Sequence, residues 1–238
     1  MIKLIESIAE IDGILKTDSV YKAKILSNID VYGELPIINT WQINNSAVFQ
    51  MINSDGILTG DISDDEVLDF ARFMNCKTVF TSKKIADKLS LETNETGQIM
   101  IRGGSIIKPE SRYSEIAFPE YSKIYSLLER CGFNLPEKDG FLSDLHLKVH
   151  KKSARILAND DYSALLISCF ETEKMAVLSA VCVDKDLRRK NIGSDMINSL
   201  CGILQNKTIY LYREIDKNEQ FYYKNGFENC GLFANCNI

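Results

Sequence analysis

The feature that most constrains this chain runs from Met175 to Leu204. An apolar stretch, MAVLSAVCV, gives way to a basic loop, DKDLRRKNIGSD, and then to Met196, Ile197, Leu200, Ile203 and Leu204 at helical spacing. A buried strand that feeds a helix through so short a loop belongs to an α/β or α+β fold. The loop itself points to an anion. The start of a helix exposes N–H groups without intrahelical partners and carries positive potential, so it favours a bound phosphate. Arg188, Arg189 and Lys190 offset the charge of such a group, and Ser194 stands at the helix start. Gly193 lets the backbone approach the ligand without a Cβ in the way. Asn191 is, after glycine, among the residues that best tolerate a left-handed conformation. On this stretch alone, a solvated basic loop entering an ordinary helix is the competing reading.

Around this segment the chain reads as two α/β halves. Residues 3–32 have a helical pattern, with Leu4, Ile5, Ile8, Ile11 and Leu15 at three- and four-residue spacing. Residues 39–52 read as two short strands around an Asn44-Asn45-Ser46 turn. A Ser54-Asp55-Gly56 turn leads into Ile57-Leu58-Thr59. Ser63 with Glu66 forms a capping-box signature for the next helix. A strand at 78–80, a helix at 82–90 and a strand at 98–101 follow. Gly103-Gly104 and Pro109 break the pattern, so the boundary is expected at about 105–115, giving domains 1–110 and 111–238. The second domain should open with a helix at 121–131 stopped by Gly132. Strands are expected at 145–149, 154–158, 162–170 and 175–183. The helix after the basic loop, a strand at 209–211, a short helix at 218–224 and a final strand complete it. The similar order of elements in the two halves suggests a duplicated topology, with no basic loop in the first copy.

Composition removes several function classes. The net charge of −5 argues against a nucleic-acid or polybasic-membrane partner. Seven cysteines without a CxxC pair, and only two histidines, His146 and His150, argue against a disulfide framework or a zinc site, so no metal is expected. No apolar run approaches the roughly 18 residues of a membrane span, and no signal-peptide core is present, so a cytoplasmic location is expected. The loop is not a Walker loop, since Gly-x4-Gly-Lys-Ser/Thr is absent, and GxGxxG is missing too.

Two motifs together carry a family resemblance. Arg188-Arg189-Lys190-Asn191-Ile192-Gly193 resembles motif A of the GNAT (Gcn5-related N-acetyltransferase) superfamily, Arg/Gln-x-x-Gly-x-Gly/Ala, with Asn191 in place of the usual glycine. Phe221-Tyr222-Tyr223-Lys224-Asn225-Gly226-Phe227 resembles motif B, Phe-Tyr-x-x-x-Gly-Phe. The resemblance is specific over about 162–231. The helix at 121 and the segment through His150 resemble the linker and first strand of two-part GNAT proteins. It implies a GNAT fold, a central mixed, mostly antiparallel sheet flanked by helices, preceded by a degenerate GNAT-like half. It also implies acetyl-CoA as cosubstrate, with Arg188 to Ser194 at its pyrophosphate and the backbone of Val181, Cys182 and Val183 along the pantetheine arm.

In the family, the tyrosine matching Tyr222 is the general acid toward the leaving coenzyme A thiolate. A phenol near pKa 10 is protonated at neutral pH and suits that task. Tyr223 points about 100° away on a helix and ranks second. Glu214 and Asp216 are candidate bases, read otherwise as solvated loop acids. Cys182 reads as a strand residue, not a nucleophile. The implied partner is a small-molecule or peptide amine, and the chain should be a monomer or homodimer. An acetyl-CoA sensor without turnover and an inactive member of the fold are the rivals.

Overall fold

The computed structural model describes residues 1–62, 65–103 and 112–238. The chain divides into two compact units that are not contiguous in sequence. The first comprises Met1–Met100, Tyr212–Glu219 and Asn229–Ile238, and the second Ile101–Leu211 and Gln220–Glu228.

The first unit begins with β1 (Ile2–Leu4), α1 (Ile8–Ile14) and α2 (Val20–Tyr32). The single helical stretch expected over 3–32 is therefore a strand and two helices. Ser7 and Glu10 form a capping box at α1, and the Ser19 hydroxyl accepts the Lys22 N–H at α2. These caps cut the apolar pattern into separate helices. β2 (Ile38–Ile43) and β3 (Ala47–Ile52) turn through Asn44 and Asn45, both left-handed with φ of 49° and 55°. β4 (Asp55–Gly60) pairs antiparallel with β3. α3 (Glu66–Phe73) follows, with Asp65 at its N-cap, while the expected Ser63 cap lies outside the described residues. Gly104 and Pro109 of the expected boundary lie outside them too.

β5 (Thr78–Ser82) runs parallel to β4, Asp55 opposite Thr78 and Ile57 opposite Phe80. α4 (Lys83–Lys88) starts at Ser82, whose hydroxyl accepts the Ile85 N–H at 3.2 Å. β6 (Thr93–Arg102) completes the first run of strands. The core of this unit is aromatic at its centre, with Trp41 stacked on Phe49 and Phe70 edge-on to both. Full burial of side chains of this kind contributes roughly 1.5–3 kcal/mol each. Gln50, next to Phe49 on β3, is buried on the opposite face of the sheet with its polar atoms satisfied. It accepts from Asn28 at 2.8 Å and donates to the Ile25 carbonyl and the Thr40 hydroxyl.

The second unit holds α5 (Tyr121–Arg130) and α6 (Lys138–His150). Gly132, with φ of 84°, ends α5. α6 replaces the strand expected at 145–149. Its Glu137 cap accepts the Gly140 N–H, and Asp144 pairs with Lys148 one turn on. β7 (Arg155–Ala158), β8 (Ala164–Cys169) and β9 (Met175–Val183) form an antiparallel meander. After α7 (Ile192–Ile203), β10 (Thr208–Glu214) pairs parallel with β9 through its residues up to Leu211, giving the order β10-β9-β8-β7. α8 (Glu219–Lys224) precedes β11 (Glu228–Asn237). β11 from Asn229 onward belongs to the first unit, antiparallel to β5, so that sheet runs β1-β2-β3-β4-β5-β11-β6. The fold is thus α+β, with a mixed, mostly antiparallel sheet and flanking helices. Among the described residues no helix is long and apolar enough to cross a membrane.

Candidate active site

The site builds up from the parallel pair in the second unit. The β9–β10 ladder runs from Met175 opposite Thr208 to Leu178 opposite Leu211, and stops there. Its closed end is pinned by Lys207, just before β10, which donates to the Thr172 carbonyl at 2.6 Å and to buried Glu171 at 2.7 Å. At the other end β9 continues to Val183 paired only with β8. The β8–β9 register shifts between Ile167 and Ser168, so Ser179 is an extra, exposed residue on β9. A bulge of this kind bends and twists its strand, and it sits one residue past the last β10 contact. Bulge and lost ladder together open a free edge on β9.

The direction of the backbone groups on that edge follows from the register. Ala164 opposes Val183, and the Asp184 N–H bonds the Ser163 carbonyl at 2.8 Å. In an antiparallel ladder this makes Val183 and Val181 members of non-hydrogen-bonded pairs, whose N–H and C=O point away from β8. Cys182, between them, turns its backbone toward β8. The free edge is therefore offered by Val181 and by the Val183 N–H. The Val183 carbonyl accepts Arg188 Nε at 2.9 Å.

The loop leaves β9 through a single 3-10 turn, Lys185–Leu187. Arg189 (φ 64°) and Asn191 (φ 62°) are both left-handed. Asn191 is the N-cap of α7, and the first helical bond runs from the Asp195 N–H to its carbonyl at 2.9 Å. That leaves the N–H groups of Ile192, Gly193 and Ser194 without an intrahelical acceptor. A left-handed residue leading into a right-handed helix gathers successive N–H groups into an anion-holding concavity. Arg188, Arg189 and Lys190 are exposed around it.

Gly193 has a second role that the sequence did not reveal. A Cβ there would lie 3.2 Å from the Phe221 ring and 3.4 Å from Val181 Cγ1. The glycine lets α7 close on α8 and on β9, joining the two motifs at one point. Arg112 is also absent from the motifs. It pairs at 2.9 Å with Asp195, the one acid in the first turn of α7, and so offsets a charge that would repel an anion. No local pattern marks it, because its partner lies far along the chain.

α8 ends in a Schellman turn. Gly226 (φ 78°) bonds back to Tyr223, and the Phe227 N–H reaches the Tyr222 carbonyl at 3.1 Å. The turn buries Phe227 and sets Tyr222 edge-on to it at 5.9 Å, with Phe221 at 5.1 Å on the other side. Tyr222 is thus half-buried with its ring direction fixed, while Tyr223 is exposed. Burial pushes the Cys182 thiol well above its ordinary range, which keeps it protonated and a poor nucleophile. Glu214 is exposed and paired with Lys217, and both Glu214 and Asp216 belong to the first unit. Among the described residues no group of three His, Cys, Asp or Glu is arranged to hold a metal ion.

No family model matches the sequence, and no sequence of a curated protein matches it either. Solved structures do match over nearly their whole length. A tandem GNAT protein from the clavulanic acid biosynthesis pathway superposes with a TM-score of 0.58 at 8% identity, over 100% of this chain and 98% of that one. A GCN5-related N-acetyltransferase from Sphaerobacter thermophilus gives 0.56 at 9% identity, covering 100% and 95%. A GNAT-family acetyltransferase from Colwellia psychrerythraea gives 0.55 at 13%, covering 100% and 99%. At such identities the likeness is one of fold. The chain has the GNAT fold in its two-part form.

Proposed function

We propose that the protein is an N-acetyltransferase that moves an acetyl group from acetyl-CoA to a primary amine of a small molecule or peptide. The observation that carries this reading is the free edge of β9 ending one turn before an unpartnered, cation-ringed helix N-terminus. A pantetheine arm is an extended chain with two amides, and it can pair with Val181 and Val183 as a further strand would. A pyrophosphate then falls to the N–H groups of Ile192, Gly193 and Ser194, with Arg188, Arg189 and Lys190 around it. The residues present therefore fit coenzyme A.

When bound, acetyl-CoA supplies an activated thioester, open to direct attack by an amine. The chain's own contribution is to hold and to protonate. The backbone of β9 fixes the arm, and its N–H groups are candidates for stabilising charge on a carbonyl oxygen. The Tyr222 hydroxyl would give its proton to the departing sulfur, a role typically worth about 10²–10⁴ in rate. Cys182 takes no part in transfer, being protonated and turned to the core.

Calorimetric titration with acetyl-CoA, followed by a thiol-release assay over a panel of amines, tests the reading. Binding with amine-dependent release of free thiol is the expected result. No binding would reject the cosubstrate. Binding without release over every amine class would turn the protein into a sensor.

A further inference from the structure

The first unit carries a cavity of its own, about 380 Å³, where α2 meets the sheet. That is within the roughly 300–1,000 Å³ of small-molecule sites. Its wall follows from the strand register. Asp55 opposes Thr78 across β4 and β5, and Phe80 opposes Asn235 across β5 and β11, so these side chains share one face. Phe233, two residues before Asn235, lies on the same face. Gly97 on β6 makes room for it, since a Cβ there would stand 2.3 Å from the Phe233 ring. Tyr212 completes the wall. The Phe80 ring lies 5.6 Å from Tyr212 and 5.4 Å from Phe233, and those two lie 5.7 Å apart.

Into this triangle of rings α2 inserts a cation. Lys24 Nζ stands 4.0 Å from the centre of the Phe80 ring and 5.3 Å from that of Tyr212. Tyr21, one turn earlier on the helix, backs Phe80 at 5.3 Å. Aromatic faces carry negative potential, and several together hold an ammonium. The rim adds acids. Asp55, oriented by the Thr78 hydroxyl that donates to it at 2.6 Å, and Glu95 both line the cavity. Two carboxylates against one ammonium leave the cavity with excess negative charge, which draws in further cations. A lysine that merely rests its stem on apolar surface needs neither the acids nor the space around it.

We infer that this cavity binds a small organic cation, an alkylammonium, whose charge competes with Lys24 for the place over Phe80 and Tyr212. Lys24 is then an exchangeable occupant. Its flexible stem lets the head swing to solvent when a ligand cation enters. Asp55 and Glu95 balance the ligand's charge, and its alkyl part rests on Phe233. A cation is preferred over a neutral molecule of the same shape, because the rings and the carboxylates both act on charge. The site lies wholly on the first unit and needs no coenzyme A, so it stands or falls separately from the proposed transfer.

The test is calorimetric titration of the whole chain, without acetyl-CoA. The probes are n-butylammonium chloride, which copies the head and stem of a lysine, and n-butanol, its neutral counterpart. Saturable binding of butylammonium is expected, with butanol about tenfold weaker or more. Lys24→Met removes the competing charge and should tighten butylammonium binding about tenfold. Glu95→Gln, at an exposed position that the fold does not depend on, should weaken it about threefold. Butanol bound as tightly as butylammonium overturns the cation site, and so does a lack of saturable binding by Lys24→Met. Equal affinities in the wild type and Lys24→Met overturn the exchange with Lys24. An unchanged affinity in Glu95→Gln overturns the part given to that acid.

Discussion

Each half of the chain carries a parallel strand pair with a helix between its strands, β4–α3–β5 in the first unit and β9–α7–β10 in the second. They share a topology and differ in everything an anion would meet. β4 pairs with β3 residue for residue from Ala47 opposite Gly60 to Ile52 opposite Asp55, with no bulge, while β9 carries the extra Ser179. Past the last β4–β5 partners, Ile57 and Phe80, the Thr81 hydroxyl donates to the Leu58 carbonyl at 2.7 Å and stitches the strands together. β9 has an open edge in the corresponding place. Asp61, Asp64 and Asp65 lead into α3 and Glu66 opens it, where α7 is preceded by Arg188, Arg189 and Lys190. Acids at a helix start stabilise the helix and repel a phosphate. The comparison teaches that the topology alone makes no anion site. A bulge, an unstitched edge, a left-handed asparagine and three cations are what the proposed site adds to it.

The strongest way to break this contrast is to give α7 the charge of α3. Arg188→Glu, Arg189→Glu and Lys190→Glu combined should weaken acetyl-CoA binding by about a thousandfold or more, since contacts to charged groups contribute roughly 1.5–3 kcal/mol each. All three side chains are exposed, so the melting temperature should hardly move. Calorimetry reads the first and a thermal melt the second, and retained affinity would remove the loop from the site. Tyr222→Phe should lower turnover by about a hundredfold with acetyl-CoA affinity unchanged, because only the proton is lost. Near-normal steady-state rates with a good acceptor would end its assignment as the acid.

The stitched pair offers a subtler test. Thr81→Val leaves the buried Leu58 carbonyl without its hydroxyl donor and should destabilise the protein by about 1–3 kcal/mol in denaturant unfolding. An unchanged midpoint would mean that the stitch holds nothing. The smallest effect is expected at Asn191. Valine there meets the left-handed penalty of roughly 1–2 kcal/mol and should weaken acetyl-CoA binding by about fivefold or more, while glycine should leave it within twofold. Equal affinities for the two variants would show that the left-handed turn is not needed.

Much of this was legible in the sequence where the signal is local. Asn44-Asn45 between alternating strands, Gly132 and Gly226 at helix ends and Asn191 before Gly193 each state a backbone conformation, and each adopts it. α6 was not legible, because Leu145, Leu147 and Val149 alternate over too few residues to separate a strand from a helix. The pattern is settled by α5, against which α6 packs, with Leu145 its one fully buried residue. The first helical stretch is broken up for the opposite reason. Its apolar spacing continued through Ser7 and Ser19, and the caps outweighed it. Of the candidate site, the motifs were visible and their supports were not. The Ser179 bulge, the Phe221 ring over Gly193 and the Arg112–Asp195 pair all depend on partners distant in sequence.

The placement of β11 has a consequence for how the molecule is made. From Asn229 on, this strand lies between β5 and β6 of the first unit, yet it is translated after the whole of the second. A ribosome adding roughly 5–20 residues per second leaves the edges of β5 and β6 without their partner for on the order of ten seconds. During that interval the early half of the nascent chain is a sheet with a missing slat, a template for any other extended segment nearby. The strand that follows the tyrosine helix is thus also the piece that closes the older half, and a ribosome stalled before it would release an unfinished one.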